Sequence, residues 1–126
     1  MDRIAIISDI HGNLEALKTV LQDINLRGIE KIYCLGDIVA KGCNSEECVN
    51  LIKENCEVVI RGNCDRNMSH VRDLSNETEL ERTRINWNQN RLKSYRLKSM
   101  IPDKSFERCP FRPNCFGIPQ QLRYTP

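Results

Sequence analysis

The stretch Ile4–Leu17, I-A-I-I-S-D-I-H-G-N-L-E-A-L, decides how this chain is read. Ile4, Ala5, Ile6 and Ile7 form an apolar run that stops at Ser8-Asp9. His11-Gly12-Asn13 follow, and a helical pattern starts at once. A run apolar on both faces fits a strand buried inside a parallel sheet. Asp9 and His11 then stand at its carboxyl end, the edge on which open α/β sheets bind ligands. A carboxylate and an imidazole two residues apart on a short turn can reach one metal ion. A single D-x-H recurs by chance, so its weight depends on how the next two strands end.

Leu14, Leu17, Val20, Leu21 and Ile24 recur at helical spacing and predict one apolar stripe. Asn13 is placed to cap this helix, Glu15 falls in its first turn, and Gly28 can close it. Lys31 to Leu35 (K-I-Y-C-L) predicts a second short buried strand, followed directly by Gly36-Asp37. Residues 38–44 read as a loop containing Gly42. Ser45 is placed to cap a second helix, with Glu46 and Glu47 near its positive end and Cys48, Val49, Leu51 and Ile52 on its buried face. Glu57 to Ile60 (E-V-V-I) predicts a third strand, which runs into Arg61-Gly62-Asn63-Cys64-Asp65.

Three strand-then-polar-loop units separated by helices describe an α/β fold with parallel βαβ topology and right-handed crossovers. Asp9 and His11, Asp37, and Asn63 with Asp65 then gather along one edge of the sheet. Asp and Asn are common turn residues, so any one of these endings alone is ordinary loop chemistry. Three in the same place, each just after an apolar strand, are not.

Farther on, Asn76 and Glu79 fit a capping box for a helix continuing toward Trp87. Leu92, Tyr95, Met100 and Ile101 suggest another helix ending before Pro102. All five prolines and all three phenylalanines lie between Pro102 and Pro126. That tail has neither strand alternation nor helical periodicity, so residues 1–102 read as the folded unit and 103–126 as irregular or disordered.

The chain's 126 residues suffice for one core and not for two ordinary domains. With 40% hydrophobic and 29% charged residues it has the profile of a soluble globular protein. It holds no apolar run near the roughly 20 residues that span a bilayer. No signal peptide is visible, which makes a cytoplasmic location the expectation. Seven cysteines without a C-x-x-C pair, in such a compartment, imply free thiols over disulfides. Cys109 and Cys115 lack the second ligand pair of a zinc knuckle. Residues 1–80 hold nine Lys/Arg against fourteen Asp/Glu, and residues 81–126 hold ten against three. A basic segment can signal nucleic-acid contact, but a solvated face on a basic tail explains it more simply.

D-I-H-G-N (9–13), G-D-I-V-A-K-G (36–42) and R-G-N-C-D (61–65), with W-N-Q-N-R-L and a closing I-P (87–102), resemble the calcineurin-like metallophosphoesterases. The likeness is to their small prokaryotic phosphodiesterase branch and covers residues 1 to about 102. It implies the N-terminal half of an αββα sandwich. By match, Asp9 and His11 bind the first metal, Asp37 bridges both, and Asn63 binds the second. The resemblance implies two divalent ions, Mn first, with Fe, Ni, Co, Zn or Mg as alternatives, and a phosphate-ester substrate. Such ions suit oxygen and imidazole donors and clamp an in-line phosphoryl displacement.

Two departures stand out. Many family members carry a His after the motif Asn as a helper in leaving-group protonation; here the residue is Cys64. Some phosphodiesterases of the branch also lack it, and Asp65 then serves mainly to fix the loop. The family also delivers late His ligands, including a G-H-x-H, from its second sheet, whereas this chain has only His11 and His70. His70 is expected to be an ordinary surface residue. The sequence therefore reads as the first half of a metallophosphoesterase with an unrelated tail from about residue 103, as a truncated or frame-shifted gene would give. An incomplete site implies weak or absent activity, and an uncovered sheet favours self-association.

The competing reading is a small non-catalytic α/β module whose basic C-terminal segment contacts nucleic acid or a partner protein. It has no nucleotide-binding glycine loop, neither G-x-G-x-x-G nor G-x-x-x-x-G-K.

Overall fold

A computed structural model describes residues 3–68 and 73–92. Strand β1 (Ile4–Ile7) leads to helix α1 (Leu14–Leu26), then β2 (Lys31–Cys34), α2 (Ser45–Asn55), β3 (Val58–Val59), α3 (Asn63–Met68) and α4 (Glu79–Leu92). The three strands form one parallel sheet in the order β1-β2-β3. Ala5 stands opposite Ile32, Ile7 opposite Cys34, and Cys34 opposite Val59. β3 is shorter than the E-V-V-I run suggests. Its flanks still pair: the Glu57 N–H donates to the Ile32 carbonyl at 2.9 Å and the Ile60 N–H to that of Cys34 at 2.8 Å.

Residues opposite one another in a parallel ladder share a face. The face carrying Ala5, Ile7, Ile32, Cys34 and Val59 meets the core. Leu17 of α1 and Cys48, Val49 and Ile52 of α2 are all buried there, with Ile7 and Val59 packed against them. The opposite face carries Ile4, Ile6, Tyr33 and Val58, and here the expectation for β1 fails. Ile4 is 46% exposed and Ile6 59%, so the strand is half-buried on one face, open on the other, and lies at the edge of the described sheet. The same narrowing affects α1, where Leu17 and Ile24 are buried but Val20 is exposed. An apolar run reports that both faces need cover; it does not supply the second layer.

The helix ends follow local chemistry with two corrections. Asn13 Oδ1 accepts the Ala16 N–H at 3.2 Å, and Gly28, at φ +64°, closes α1. Ser45 does not cap α2: Asn44 precedes the helix, and Ser45 lies inside it. Its hydroxyl donates to Asn88 Oδ1 at 2.6 Å, with both residues buried. That bond ties α4 to α2, and a buried partner outcompetes the helix end. The Asn76–Glu79 capping box is replaced by Thr78, whose Oγ1 accepts the Glu81 N–H at 3.2 Å. Leu92 is the last described residue of α4, so the further helix expected toward Pro102 lies outside the described residues. Tyr95, Met100, Ile101, the residues from 103 onward and His70 lie outside the described residues.

Cys34, Cys43, Cys48, Cys56 and Cys64 are free thiols. No helix among the described residues is long and apolar enough to cross a membrane. Burial pushes the Cys34 thiol up to about 12 from its ordinary 9.0, and the Cys48 and Cys56 thiols up to about 11.

Two outcomes follow. Ile52→Ala, at a site only 1% exposed, should cost about 2–5 kcal/mol in urea unfolding, whereas Ile6→Thr on the open face should stay within about 0.5 kcal/mol. The raised thiol values also set a pH dependence. Folded Cys34, Cys48 and Cys56 keep protons that the unfolded chain sheds above its ordinary 9.0. Their stabilisation is therefore complete below about pH 9 and erodes between there and about 11 to 12. Urea midpoints measured across that window should fall, and less steeply in Cys56→Ala.

Candidate metal centre

Each strand ends in a loop that bonds to the next. The Asp9 N–H donates to the Gly36 carbonyl at 3.1 Å, His11 N–H to Asp37 at 2.9 Å, and Gly12 N–H to Ile38 at 2.8 Å. The second loop returns, with Gly42 N–H on the His11 carbonyl at 2.7 Å. This approach explains the glycine spacing: a Cβ on Gly42 would lie 2.6 Å from the His11 oxygen, and one on Gly62 would fall on the Asp37 carboxylate.

The same loops hold Asp9, His11, Asp37, Ala40 and Lys41 at positive φ, between 49° and 71°. The left-handed region costs an L-residue about 1–2 kcal/mol, somewhat less for Asp. Such strain persists only where surrounding bonds over-determine it, and it concentrates at functional sites. Three of the five strained residues are the expected metal ligands of the first two motifs.

Asp65 supplies much of that constraint. It is 1% exposed. Its Oδ1 accepts the N–H groups of Ile38 (2.9 Å) and Val39 (3.1 Å), and its Oδ2 those of Asp37 (2.8 Å) and Gly62 (3.0 Å). Gly62 immediately precedes α3, so a carboxylate three residues later reaches back as in a capping box. Burial raises the Asp65 pKa and the Asp37 charge adds to that, while the backbone donors oppose both.

Around this brace the side chains of His11, Asp37 and Cys64 converge, with Asp9 beside His11. The His11 Nε2 lies 3.5 Å from Asp9 Oδ1, and the Ser8 hydroxyl donates to Asp9 Oδ2 at 2.7 Å. His11 Nδ1 lies 3.3 Å from the Val39 carbonyl. With the proton on Nδ1, the Nε2 lone pair faces a carboxylate, an arrangement that calls for a cation or a proton between them. One ligand atom each from His11, Asp37 and Cys64 lies within 4.8 Å of the others. Asp37 Oδ1 accepts the Cys64 N–H at 2.8 Å. Asn63 opens α3 with an exposed side chain, its Nδ2 3.8 Å from the Cys64 sulfur. A cleft of about 420 Å³ runs beside Asp9 and His11 and is also lined by Asn13, Glu15, Lys41 and Asn44. Asp9, Asp37 and Asp65 concentrate negative charge here, and the donor set of carboxylate, imidazole and thiol suits a divalent ion.

The profile of the calcineurin-like phosphoesterases matches residues 2–111. The chain belongs to this family. A solved metallophosphoesterase from Sphaerobacter thermophilus superposes with a TM-score of 0.64 at 32% identity, covering 79% of this chain and 41% of that one. An uncharacterized protein of Methanocaldococcus jannaschii is 48% identical over 96 residues, 75% of this chain and 39% of its own length. A symmetrical bis(5'-nucleosyl)-tetraphosphatase of Actinobacillus pleuropneumoniae is 33% identical over 63 residues, 48% of this chain and 23% of that enzyme. The chain thus spans well under half the length of each. Its α/β architecture is that of the metallophosphoesterase neighbour, and a metal-dependent family matches the ligand-type cluster.

Two residues of this cluster and cleft are not marked by the motif pattern. Cys64, in sequence only a replacement for the family His, joins the cluster with His11 and Asp37. Lys41, in the K-G pair of the second motif, lines the cleft; its positive φ, which the pattern alone does not reveal, places it there.

Asp65→Asn puts an amide where backbone donors need acceptors and leaves buried N–H groups unsatisfied. It should cost about 2–4 kcal/mol in urea unfolding without changing the denaturant slope.

Proposed function

We propose that this chain is a metal-dependent phosphodiesterase module in which Asp9 and His11 hold a first divalent ion, Asp37 bridges to a second, and Asn63 contributes to the second. The observation that carries this is the meeting of His11, Asp37 and Cys64 on backbone strained at both His11 and Asp37. When bound, the ions supply Lewis-acid polarisation of a phosphoryl oxygen and a more acidic water. Manganese fits a centre dominated by oxygen and imidazole donors, with Fe, Ni, Co, Zn or Mg as alternatives.

The protein's own contribution is positional. Val39 holds the His11 ring through Nδ1, and the Cys64 N–H orients the Asp37 carboxylate. Asp65 keeps the Asp37–Val39 backbone in place without touching the reacting atoms. Lys41, lining the cleft beside Asp9 and His11, directs its charge toward an anionic substrate. The substrate class is a phosphate ester. The tetraphosphatase relative makes a dinucleoside polyphosphate worth including beside a simple aryl phosphodiester. Free thiols suit a cytoplasmic setting, and the open Ile4–Ile6 face suits self-association. The nucleic-acid reading depends on a basic segment that lies mostly outside the described residues.

Mn²⁺ should raise the thermal midpoint of the chain by mass action and leave Asp37→Ala unmoved. Turnover of bis(p-nitrophenyl) phosphate or diadenosine tetraphosphate by the 126-residue chain should stay near background, because four expected ligands leave much of two coordination spheres to water. A chain stabilised by no divalent ion would end the metal reading. Robust turnover abolished by Asp37→Ala would instead show that four ligands suffice.

A further inference from the structure

We propose that Cys64 is itself a metal ligand, so that one ion is held by Asp9, His11, Asp37 and Cys64 as a thiolate-containing centre of zinc or cobalt preference. The inference rests on the metal reading above and concerns which side chains complete it.

The geometry carries it. Ligand atoms of His11, Asp37 and Cys64 lie within 4.8 Å of one another, and Asp9 Oδ1 stands 3.5 Å from His11 Nε2. A tetrahedral ion with bonds of about 2.0–2.3 Å holds its donors roughly 3.5 Å apart. His11, Asp37 and Cys64 therefore stand close enough to share one ion, and the exposed Asp9 carboxylate, beside His11, would turn in to complete the set. The backbone is already fixed: the Cys64 N–H is bonded to Asp37 Oδ1 at 2.8 Å, and Asp65, one residue on, is anchored by four N–H groups. Cys64 is half-buried, not a surface thiol free to swing away. The four donors come from the ends of all three strands, so one ion would clasp the three motifs together.

The ligation step balances with what the site and solvent supply. The Cys64 sulfur belongs to the same cluster as the His11 and Asp37 ligand atoms, so a cation held there would meet it directly. On ligation the S–H bond breaks, the sulfur keeps the electron pair for the metal, and the proton passes to solvent. No oxidant or reductant is needed. Replacing one oxygen or nitrogen donor by thiolate moves the preference from Mn toward Co and Zn.

The test is Co²⁺ titration of the full chain followed by absorption. The wild-type chain should develop a sulfur-to-cobalt charge-transfer band together with the ligand-field bands. Cys64→Ser should lose the charge-transfer band, keep weaker ligand-field absorption, and bind Zn²⁺ at least about tenfold more weakly. Cys43→Ser and the double variant Cys109→Ser/Cys115→Ser should keep the band, since other thiols are not involved. Cobalt bound by wild type without a charge-transfer band overturns the sulfur ligand while the carboxylate–imidazole centre stands. A band that survives in Cys64→Ser assigns the sulfur elsewhere and also overturns it. No cobalt or zinc binding in wild type ends both this inference and the metal reading beneath it.

Discussion

The arrangement of this protein depends on one buried carboxylate. Asp65 accepts four backbone N–H groups, three from the loop after β2 and one from Gly62 at the start of α3. The loop needs this because Ile38, Val39 and Ala40 are at most 4% exposed and their backbone has no strand partner to satisfy it. A buried loop without such acceptors would leave amides unpaired, each costing about 1–3 kcal/mol. The Gly12 N–H on the Ile38 carbonyl and the His11 ring on that of Val39 complete the accounting from the other side. Structure and site are therefore the same set of bonds.

That bonding explains how strained backbone survives. Asp9, His11 and Asp37 all sit at positive φ, where relaxation would swing their side chains apart. The N–H groups of all three are engaged by other loops, Asp9 with Gly36, His11 with Asp37, and Asp37 with Asp65. Relaxing one would break bonds held by another. Glycine at 42 and 62 lets the loops approach closely enough for this locking. The result is backbone that holds the His11 and Asp37 side chains close together, with Cys64 beside them.

The second sheet face shows what the described residues do not complete. Ile4 and Ile6 carry the apolar character of a doubly buried strand but stand in the open. Parallel sheets normally have both faces covered, and the matched part of this chain spans only 39% and 41% of the length of two related proteins. The helix side, in contrast, is fully built: α4 reaches α2 through the buried Asn88–Ser45 bond, and Ser45 in turn backs the loop at Gly12. Support for the site thus extends to residue 92 through one polar contact in the core.

Much of this was legible in the residues themselves. Apolar runs followed at once by D-x-H, G-D and G-N-x-D set three parallel strands with their polar endings on one edge, because strand period and short loops leave little freedom there. Asn13 and Gly28 as helix ends were local matters and read correctly. Ser45 and Asn76 were not: Ser45 is engaged by Asn88, 43 residues on, which only packing brought near, and Asn76 lost to Thr78, an equally good local cap two residues later. The openness of β1 was hidden for the same reason: hydrophobicity says what a face wants, and neighbours decide whether it gets it. The inward turn of Cys64, the four bonds of Asp65 and the left-handed backbone of His11 and Asp37 belong to the tertiary structure alone. Apart from the Gly62 bond of Asp65, they arise from contacts between residues about 25 apart or more, and no local pattern encodes a distance across the sheet.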